Sequence, residues 1–367
     1  DQIDRPGSES EFVSATDTAR GTFGKHPWSI GGGGAADVKE LIEAVSTATL
    51  GAVTQEMGVF GMTNADEVML APASAFDRQG VETEYRRPLI LGDMVRDWSV
   101  PTSDEVLFPY AAGAVVTLAD SPKLAAWAWS SRTVLGNRAT FAKTTYFEEG
   151  RPWWAWHQVV LRRLDAPLTI TFAEIATHNH FVLDRGGKVF KQTAPVIKLP
   201  AGSSEDEHLG LLGLLNSSVA GFWLKQVCFP KGGDHVGTEG ARVRKTLWDE
   251  RYAFNATNVG DFPLPAGRPL DLAHRLDDLA QALTTHAPTA VLAKPDLPSR
   301  DDLTEAEGLS DWLRRQMIAG QEELDWRCYG LYGLLPAGVG GDEVEYAAPV
   351  EVALGERHLH PRAIAAL

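Results

Sequence analysis

The strongest constraint on the fold lies at residues 209–231, where a long apolar run leads into a short basic loop that carries glycines. Polar residues at 216–218 interrupt the run, which falls short of the roughly 20 apolar residues needed to span a bilayer. We therefore predict no membrane span. The run instead predicts a buried helical region, capped by Ser203 or Ser204, that ends near Cys228.

The remaining sequence alternates between strand-like and helix-like patterns. Short apolar runs separated by turn residues, between 51 and 118 and at 168–175, are typical of strands, and Arg185-Gly186-Gly187 predicts a hairpin. Helical patterns follow at 270–286 and 303–328. With 44% hydrophobic residues and 11 tryptophans among 367 residues, we predict a folded protein of the mixed α/β (α+β) class, with a mixed sheet and packed helices.

Cysteine content and the first residues indicate the compartment. Cys228 and Cys328 lie far apart, so they provide neither a disulfide framework nor a cysteine zinc site. The amino terminus lacks an apolar signal core and does not begin with Met. We expect a cytoplasmic protein and a chain that is a segment of a longer one.

Charge is unevenly distributed along the chain. The net charge is −15, from 34 basic and 49 acidic residues, and it argues against non-specific nucleic-acid binding by the whole surface. Residues 132–163 nevertheless contain six basic residues, and only three acidic residues occur between 132 and 165. Residues 296–325, by contrast, contain nine acidic residues and three arginines. This segregation predicts that one part of the protein faces a polyanion and another does not.

The best candidates for phosphate contact lie at residues 225–251, where glycines permit close approach of the backbone. Solvent exposure alone is the alternative for this loop. The basic stretch at 132–163 adds three further candidates. The cations concerned are Lys225, Lys231, Arg242, Arg244 and Lys245 in the loop, and Arg138, Lys143 and Arg151 in the basic stretch.

His178-Asn179-His180 lies beside a predicted strand. Asn179 is able to read adenine through its amide, so the three residues are candidates for contact with base edges. The two histidines could also bind a metal, but a third ligand would have to come from elsewhere. The alternative is that the backbone satisfies these polar groups at the strand end. Trp153-Trp154-Ala155-Trp156 could stack on bases, although core packing is the more common role of such a cluster.

Several long, non-repetitive stretches resemble one protein family. They are residues 26–34 (HPWSIGGGG), 50–54 (LGAVT), 178–190 (HNHFVLDRGGKVF), 194–200 (APVIKLP), 215–231 (LNSSVAGFWLKQVCFPK), 262–265 (FPLP) and 322–326 (EELDW). The sequence resembles the adenine-specific DNA methyltransferases of phage-defence systems, the PglX proteins of BREX and phage growth limitation. The resemblance covers their C-terminal, target-recognising half.

The resemblance implies a division of the chain. Residues 1–36 would be a linker from an upstream methyltransferase domain, 37–268 a DNA target-recognition domain, 269–335 a helical segment, and 336–367 a tail with a candidate strand at 344–354. Double-stranded DNA and the upstream domain are the implied partners, with other phage-defence proteins as further candidates. S-adenosylmethionine is implied for the parent protein.

Catalytic motifs are missing from the sequence. An amino-methyltransferase needs an Asn-Pro-Pro-Tyr loop for the flipped base, and the chain has no Pro-Pro pair. The glycines at 31–34 lack a preceding strand, so they favour a hinge over an anion site. We therefore assign no catalytic, cofactor-binding or metal-binding residue to this segment. Two other functions remain open: a protein-interaction module using the acidic helix, and a carbohydrate-binding module, which the missing secretion signal disfavours.

Overall fold

The structure, a computed structural model, describes residues 4–10, 13–15, 17, 20–24, 28, 34–100, 104–231 and 250–335. Helices and short strands are interspersed along the chain, so the predicted mixed α/β class is confirmed. Within these residues, no helix is both long enough and apolar enough to cross a membrane. Arg242, Arg244 and Lys245, and the candidate strand at 344–354, lie outside the described residues.

The described helices and strands are short except at the C-terminal end. The α-helices are α1 (Ala35–Ala44), α2 (Leu50–Val53), α3 (Asp66–Met69), α4 (Ala73–Gln79), α5 (Pro122–Trp129), α6 (Arg132–Gly136), α7 (Glu205–Leu215), α8 (Ser218–Val227), α9 (Ala256–Gly260), α10 (Leu270–His286), α11 (Pro288–Leu292) and α12 (Arg300–Leu331). Turns of 3-10 helix occur at Arg20–Gly24, Thr83–Tyr85, Gly92–Met94, Leu118–Asp120 and Leu161–Leu164. The strands are β1 (Ser8–Glu9), β2 (Ser14–Ala15), β3 (Ala48–Thr49), β4 (Glu56–Gly58), β5 (Gly61–Met62), β6 (Leu70–Ala71), β7 (Arg86–Ile90), β8 (Glu105–Leu107), β9 (Tyr110–Ala111), β10 (Ala114–Val115), β11 (Gln158–Val159), β12 (Thr169–Phe172), β13 (Ile175–Ala176), β14 (Phe181–Asp184), β15 (Val189–Phe190), β16 (Val196–Lys198), β17 (Tyr252–Ala253) and β18 (Pro263–Leu264).

The first four-stranded sheet lies between two cores. Its order is β14–β12–β16–β4, and all neighbouring strands are antiparallel. Phe181 and Leu183 of β14 pack in the core formed with α7, α8, α10 and α12, whereas Val182 between them packs in the second core. Side chains alternate between the faces of a strand, so a strand buried on both faces is apolar at successive positions.

The predicted helical region at 205–228 is divided into two helices. Ser204 caps α7 through a reciprocal capping box with Glu207, and Ser217 caps α8 by accepting a hydrogen bond from the backbone N–H of Ala220. Asn216 lies at the break. Its amide exchanges two 3.0 Å hydrogen bonds with the backbone of Phe181 in β14. Side chains that bond the backbone in this way compete with helix formation, which explains the break.

The second four-stranded sheet has the order β15–β7–β8–β6, with β15 and β7 parallel. Trp156 and Phe60 are fully buried in its core. The indole N–H of Trp156 donates to the carbonyl of Leu107 at 2.7 Å, and Trp153 is also buried. The core interpretation of the tryptophan cluster is therefore confirmed for these two residues.

The predicted hairpin around Arg185-Gly186-Gly187 is wrong. β14 pairs with β12, and β15 pairs with β7 in the other sheet, so the turn carries the chain between sheets. Asp184 fixes the turn by accepting hydrogen bonds from the backbone N–H of Gly186 and the ammonium of Lys188. Arg185 binds the buried carboxylate of Asp277 at 2.6 Å, which anchors the turn to α10.

Helices α10 and α12 share the main core with the first sheet. Leu276, Leu324 and Cys328 are fully buried there. The carboxylate of Asp325 accepts a 2.7 Å hydrogen bond from the backbone N–H of Ser218 at the start of α8. The proposed boundary at 268 immediately precedes α10, and the division into a separate helical segment remains a prediction.

Replacing Asp325 with Ala should destabilise the whole chain. The change leaves the N–H of Ser218 without this acceptor at a helix N-terminus, at a cost of about 1–3 kcal/mol in the free energy of unfolding. Urea denaturation measures this cost. Asp311→Ala, at a partly exposed position of the same helix, should change the free energy by less than about 0.5 kcal/mol. A separate unfolding transition for α10–α12 would contradict the shared core.

Candidate nucleic-acid interface

The two ends of the basic loop are held together by backbone pairing. The N–H of Lys231 donates to the carbonyl of Arg251 at 2.7 Å, and the N–H of Ala253 donates to the carbonyl of Phe229 at 2.9 Å. β17, which contains Ala253, also pairs with β13. The base of the loop is therefore continuous with the strand that precedes His178.

Three predicted DNA contacts meet beside this loop base. We define the histidine–lysine cluster as His178, His180 and Lys225. The rings of His178 and His180 lie 6.4 Å apart, and Nδ1 of His180 lies 2.8 Å from Oδ1 of Asp97. The ammonium of Lys225 lies 5.5 Å from the ring centre of Tyr252 in β17, a cation–π distance. The structure thus places side chains from α8 and from the β13–β14 connection together.

The environment of the cluster disfavours positive charge on His178 and Lys225 when no anion is bound. Partial burial, followed by the positive charges of Lys225 and His180, lowers the pKa of His178, and Asp97 opposes this shift. Burial also lowers the pKa of Lys225, opposed by Glu250. Desolvation and mutual repulsion disfavour the protonated forms of His178 and Lys225. A phosphate placed among these side chains would stabilise the protonated forms through its negative charge.

Asn179 occupies a different position from its two neighbours. It is buried, and its amide donates to the carbonyls of Leu215, at 2.7 Å, and Ser217, at 3.3 Å. A Cβ atom at Gly221 would lie 2.6 Å from Oδ1 of Asn179, so α8 packs directly on this amide. These contacts correspond to the alternative in which the backbone satisfies Asn179, and we do not retain it as a base-reading residue.

Arg138 is also buried. Its guanidinium donates to the carbonyls of Leu135, Thr63, Trp153 and Ala155. Burial lowers its pKa. A guanidinium used in this way joins three backbone segments inside the protein and is not available to DNA, so the expected DNA contact at Arg138 is corrected to a structural role.

Lys143 and Arg151 lie near Arg138. Lys143 is exposed, on a turn where its φ is 64°. Arg151 is half-buried, with its guanidinium 4.5 Å from the ring centre of Tyr146 and 3.9 Å from the carboxylate of Glu149. Of these two, Lys143 is the more accessible to a phosphate.

Nothing in the described residues indicates a metal centre or a nucleophile. No group of three or more potential ligands lies together in the described part of the chain. Burial raises the pKa of the Cys228 thiol to about 11, so this cysteine is a poor nucleophile at neutral pH. Cys228 packs in the main core.

The sequence is 48% identical over 336 residues to the adenine-specific methyltransferase PglX of Streptomyces coelicolor. The aligned part comprises 91% of this chain and 28% of that protein. The chain resembles PglX along most of its length. The resemblance predicted from the sequence is thereby confirmed, and the chain spans less than a third of the length of this curated relative. No family model matches.

Two solved structures show weaker similarity. The Type IIL restriction-modification enzyme MmeI, in complex with DNA, superposes with a TM-score of 0.48 and 14% identity, over 80% of this chain and 34% of that one. The type IIG restriction endonuclease BpuSI superposes with a TM-score of 0.41 and 9% identity, over 82% of this chain and 34% of that one. These similarities are too low to support a conclusion about this chain.

Asp97 and Tyr252 belong to the site but were missed from the sequence. Asp97 lies 83 positions before His180 along the chain, and no local pattern connects them. Tyr252 directly follows the basic loop in the sequence. That position was the one signal from which its place in the site could have been predicted.

Replacing Asn179 with Ala should lower the free energy of unfolding by about 1–3 kcal/mol, because two buried carbonyls lose a donor. DNA affinity of the folded protein should not change. His178→Ala, one position away and exposed, is the matched control and should leave stability nearly unchanged. Chemical denaturation and DNA titration of both variants separate the two roles, and an N179A protein of normal stability that has lost DNA binding would contradict the structural role.

Proposed function

We propose that this chain is the DNA target-recognition part of an adenine-specific (N6) DNA methyltransferase that acts in phage defence. In this proposal it binds duplex DNA and selects the site that an upstream methyltransferase domain modifies. The 48% identity to PglX over 91% of the chain is the observation that carries the proposal. S-adenosylmethionine would bind the upstream domain and not this segment.

The histidine–lysine cluster provides a physical basis for the DNA contact. It combines Lys225 with two histidines at the base of a loop whose sequence holds Arg242, Arg244 and Lys245. Cations at adjoining positions neutralise successive phosphates and release the condensed counterions of DNA. We retain Lys225, Lys231, His178 and His180, the three loop cations, Lys143 and Arg151 as proposed DNA contacts.

DNA binding at this cluster should be coupled to protonation of His178. A phosphate raises the pKa of a nearby histidine, so binding takes up a proton, and affinity rises as the pH falls from the pKa of the bound state toward the lowered pKa of the free His178. The limit for one proton is about tenfold per pH unit. Fluorescence anisotropy with a labelled duplex measures the effect, which His178→Ala should reduce.

Two controls accompany this titration. His274→Ala removes an exposed histidine paired with Asp206 on another part of the surface and should leave the pH dependence intact. Lys225→Ala should reduce the slope of log affinity against log salt by about 0.9, the value for one phosphate contact. A salt slope unchanged in K225A, with a pH dependence unchanged in H178A, would remove the cluster from the interface.

The target-recognition role predicts a transfer of specificity. Discrimination between bases needs side chains at the groove edges, at about 1–3 kcal/mol per bidentate contact, whereas a catalytic domain needs to read only the flipped adenine. Exchanging residues 51–265 for the matching stretch of a relative, in the full-length methyltransferase, should therefore transfer the methylated site of the relative. Methylome sequencing detects the change. An active hybrid that kept its original site would place recognition elsewhere.

A protein-interaction module of the same assembly is the second candidate function. The observation that favours it is α12, whose acidic sequence exposes the large apolar side chains of Trp312 and Ile318. Exposed apolar groups rimmed by charge are common at protein interfaces. Retention of a partner protein, without any retention of duplex DNA, would favour this function over the first.

A further inference from the structure

A second accessible basic region lies on α5, α6 and the turns that follow. We call it the aromatic–arginine surface and define it by Trp129, Arg132, Phe141, Lys143 and Phe147. The side chains of Trp129 and Phe141 are 64% and 73% exposed. The contact of aromatic rings of this size with water is unfavourable, and a ligand or a partner that covers the rings removes this cost.

Arg132 lies between two aromatic rings. Its guanidinium carbon is 5.3 Å from the ring centre of Trp129 and 4.7 Å from that of Phe147. Within the described residues, no carboxylate forms an ion pair with Arg132 or Lys143. The two cations therefore keep their charge available to an anionic ligand, close to exposed aromatic side chains.

The arrangement of these rings is fixed by the backbone beneath them. A Cβ atom at Gly136 would lie 2.0 Å from the Phe147 ring, so the ring rests directly on this glycine. The N–H of Phe147 also donates to the carbonyl of Gly136 at 3.1 Å. Below, Arg138 ties the end of α6 to the segment of Trp153, whose ring lies 6.1 Å from Trp129.

Two acidic residues, Glu148 and Glu149, lie beside the turn that presents Lys143. Glu149 accepts hydrogen bonds from the hydroxyls of Thr140 and Thr144, and these bonds lower its pKa. Glu148 accepts a 2.7 Å hydrogen bond from the N–H of Thr145. Both acids thus fix the turn that presents Lys143, and within the described residues neither forms an ion pair with Arg132 or Lys143.

We propose that the aromatic–arginine surface binds unpaired nucleotides of single-stranded DNA, in addition to the duplex binding proposed above. Bases stack on the more exposed rings of Trp129 and Phe141, while Lys143 and Arg132, which lies over Phe147, contact the phosphates. Surfaces that bind single strands combine these two features, because every base has a π-face and every nucleotide has a phosphate. The charge complementarity favours a nucleic acid over an apolar or basic protein partner.

The test compares single-stranded and duplex oligonucleotides of the same sequence, about 15 nucleotides long, by fluorescence anisotropy with the full chain. Trp129→Ala and Arg132→Ala should each weaken single-strand binding about tenfold, the loss expected for one base–aromatic stack. Duplex affinity should not change. Gly136→Ala displaces the Phe147 ring without removing any charge, so it should weaken single-strand binding as well.

Helix α12 offers matched controls. Trp312 is 48% exposed there, and Arg314 pairs with Asp311 on the same helix, so Trp312→Ala and Arg314→Ala remove the same residue types from an acidic surface. Both variants should bind single strands like the unmodified chain, and circular dichroism verifies the fold of every variant. Unchanged single-strand affinity in both W129A and R132A overturns the proposal. An equal loss of affinity for single strands and for duplex also overturns the proposal, since the surface would then contact only phosphate. A change in self-association without a change in DNA affinity overturns it as well.

Discussion

The structure depends on a buried polar junction at the break between α7 and α8. Asn216 pairs with the backbone of Phe181 as a neighbouring strand would, and its own carbonyl accepts a 3.0 Å hydrogen bond from Gln321 of α12. The amide of Asn179 donates to the carbonyl of Leu215, just before the break, and the carboxylate of Asp325 accepts from the N–H of Ser218, just after it. A fully satisfied network of this kind fixes one arrangement of its parts, since any misplaced member leaves a buried group unpaired. The first sheet, the α7–α8 pair and α12 are thereby held in one relative position.

The same junction explains how the candidate interface is oriented. Asn179 is buried, whereas His178 is exposed and His180 is partly exposed, so the two histidines lie on the outer side of this segment. Asp97 holds His180 at 2.8 Å. Helix α8, which starts at the junction, carries Lys225 two turns later to the same place. The cluster therefore combines side chains from two separate segments, the β13–β14 connection and α8, that meet beside this junction.

Local patterns in the sequence predicted the longer helices, whereas the short helices α2, α3 and α4 lie in a stretch interpreted as strands. The errors in strand pairing come from long-range contacts. The sequence indicated α10 with its observed bounds and the cap at Ser204, because helix ends are encoded by adjacent residues. The hairpin failed because β15 pairs with β7, about a hundred residues earlier, and no local signal specifies that partner. Arg138 belonged to a basic stretch in sequence, yet one of its acceptors lies 75 positions away at Thr63. Only the fold reveals that its charge is enclosed.

The distribution of charge also reconciles a net charge of −15 with DNA binding. At physiological salt, interactions between exposed charges are screened beyond about 8 Å. Acidic residues that lie farther than this from the histidine–lysine cluster then exert little force on a phosphate that contacts the cluster directly. At low salt, screening weakens, and the net negative charge opposes the approach of DNA over longer distances. Contact therefore depends on local cations that are partly desolvated, such as Lys225, and not on a general attraction. An acidic protein with local cations of this kind discourages non-specific binding while it retains a defined site for the phosphate backbone.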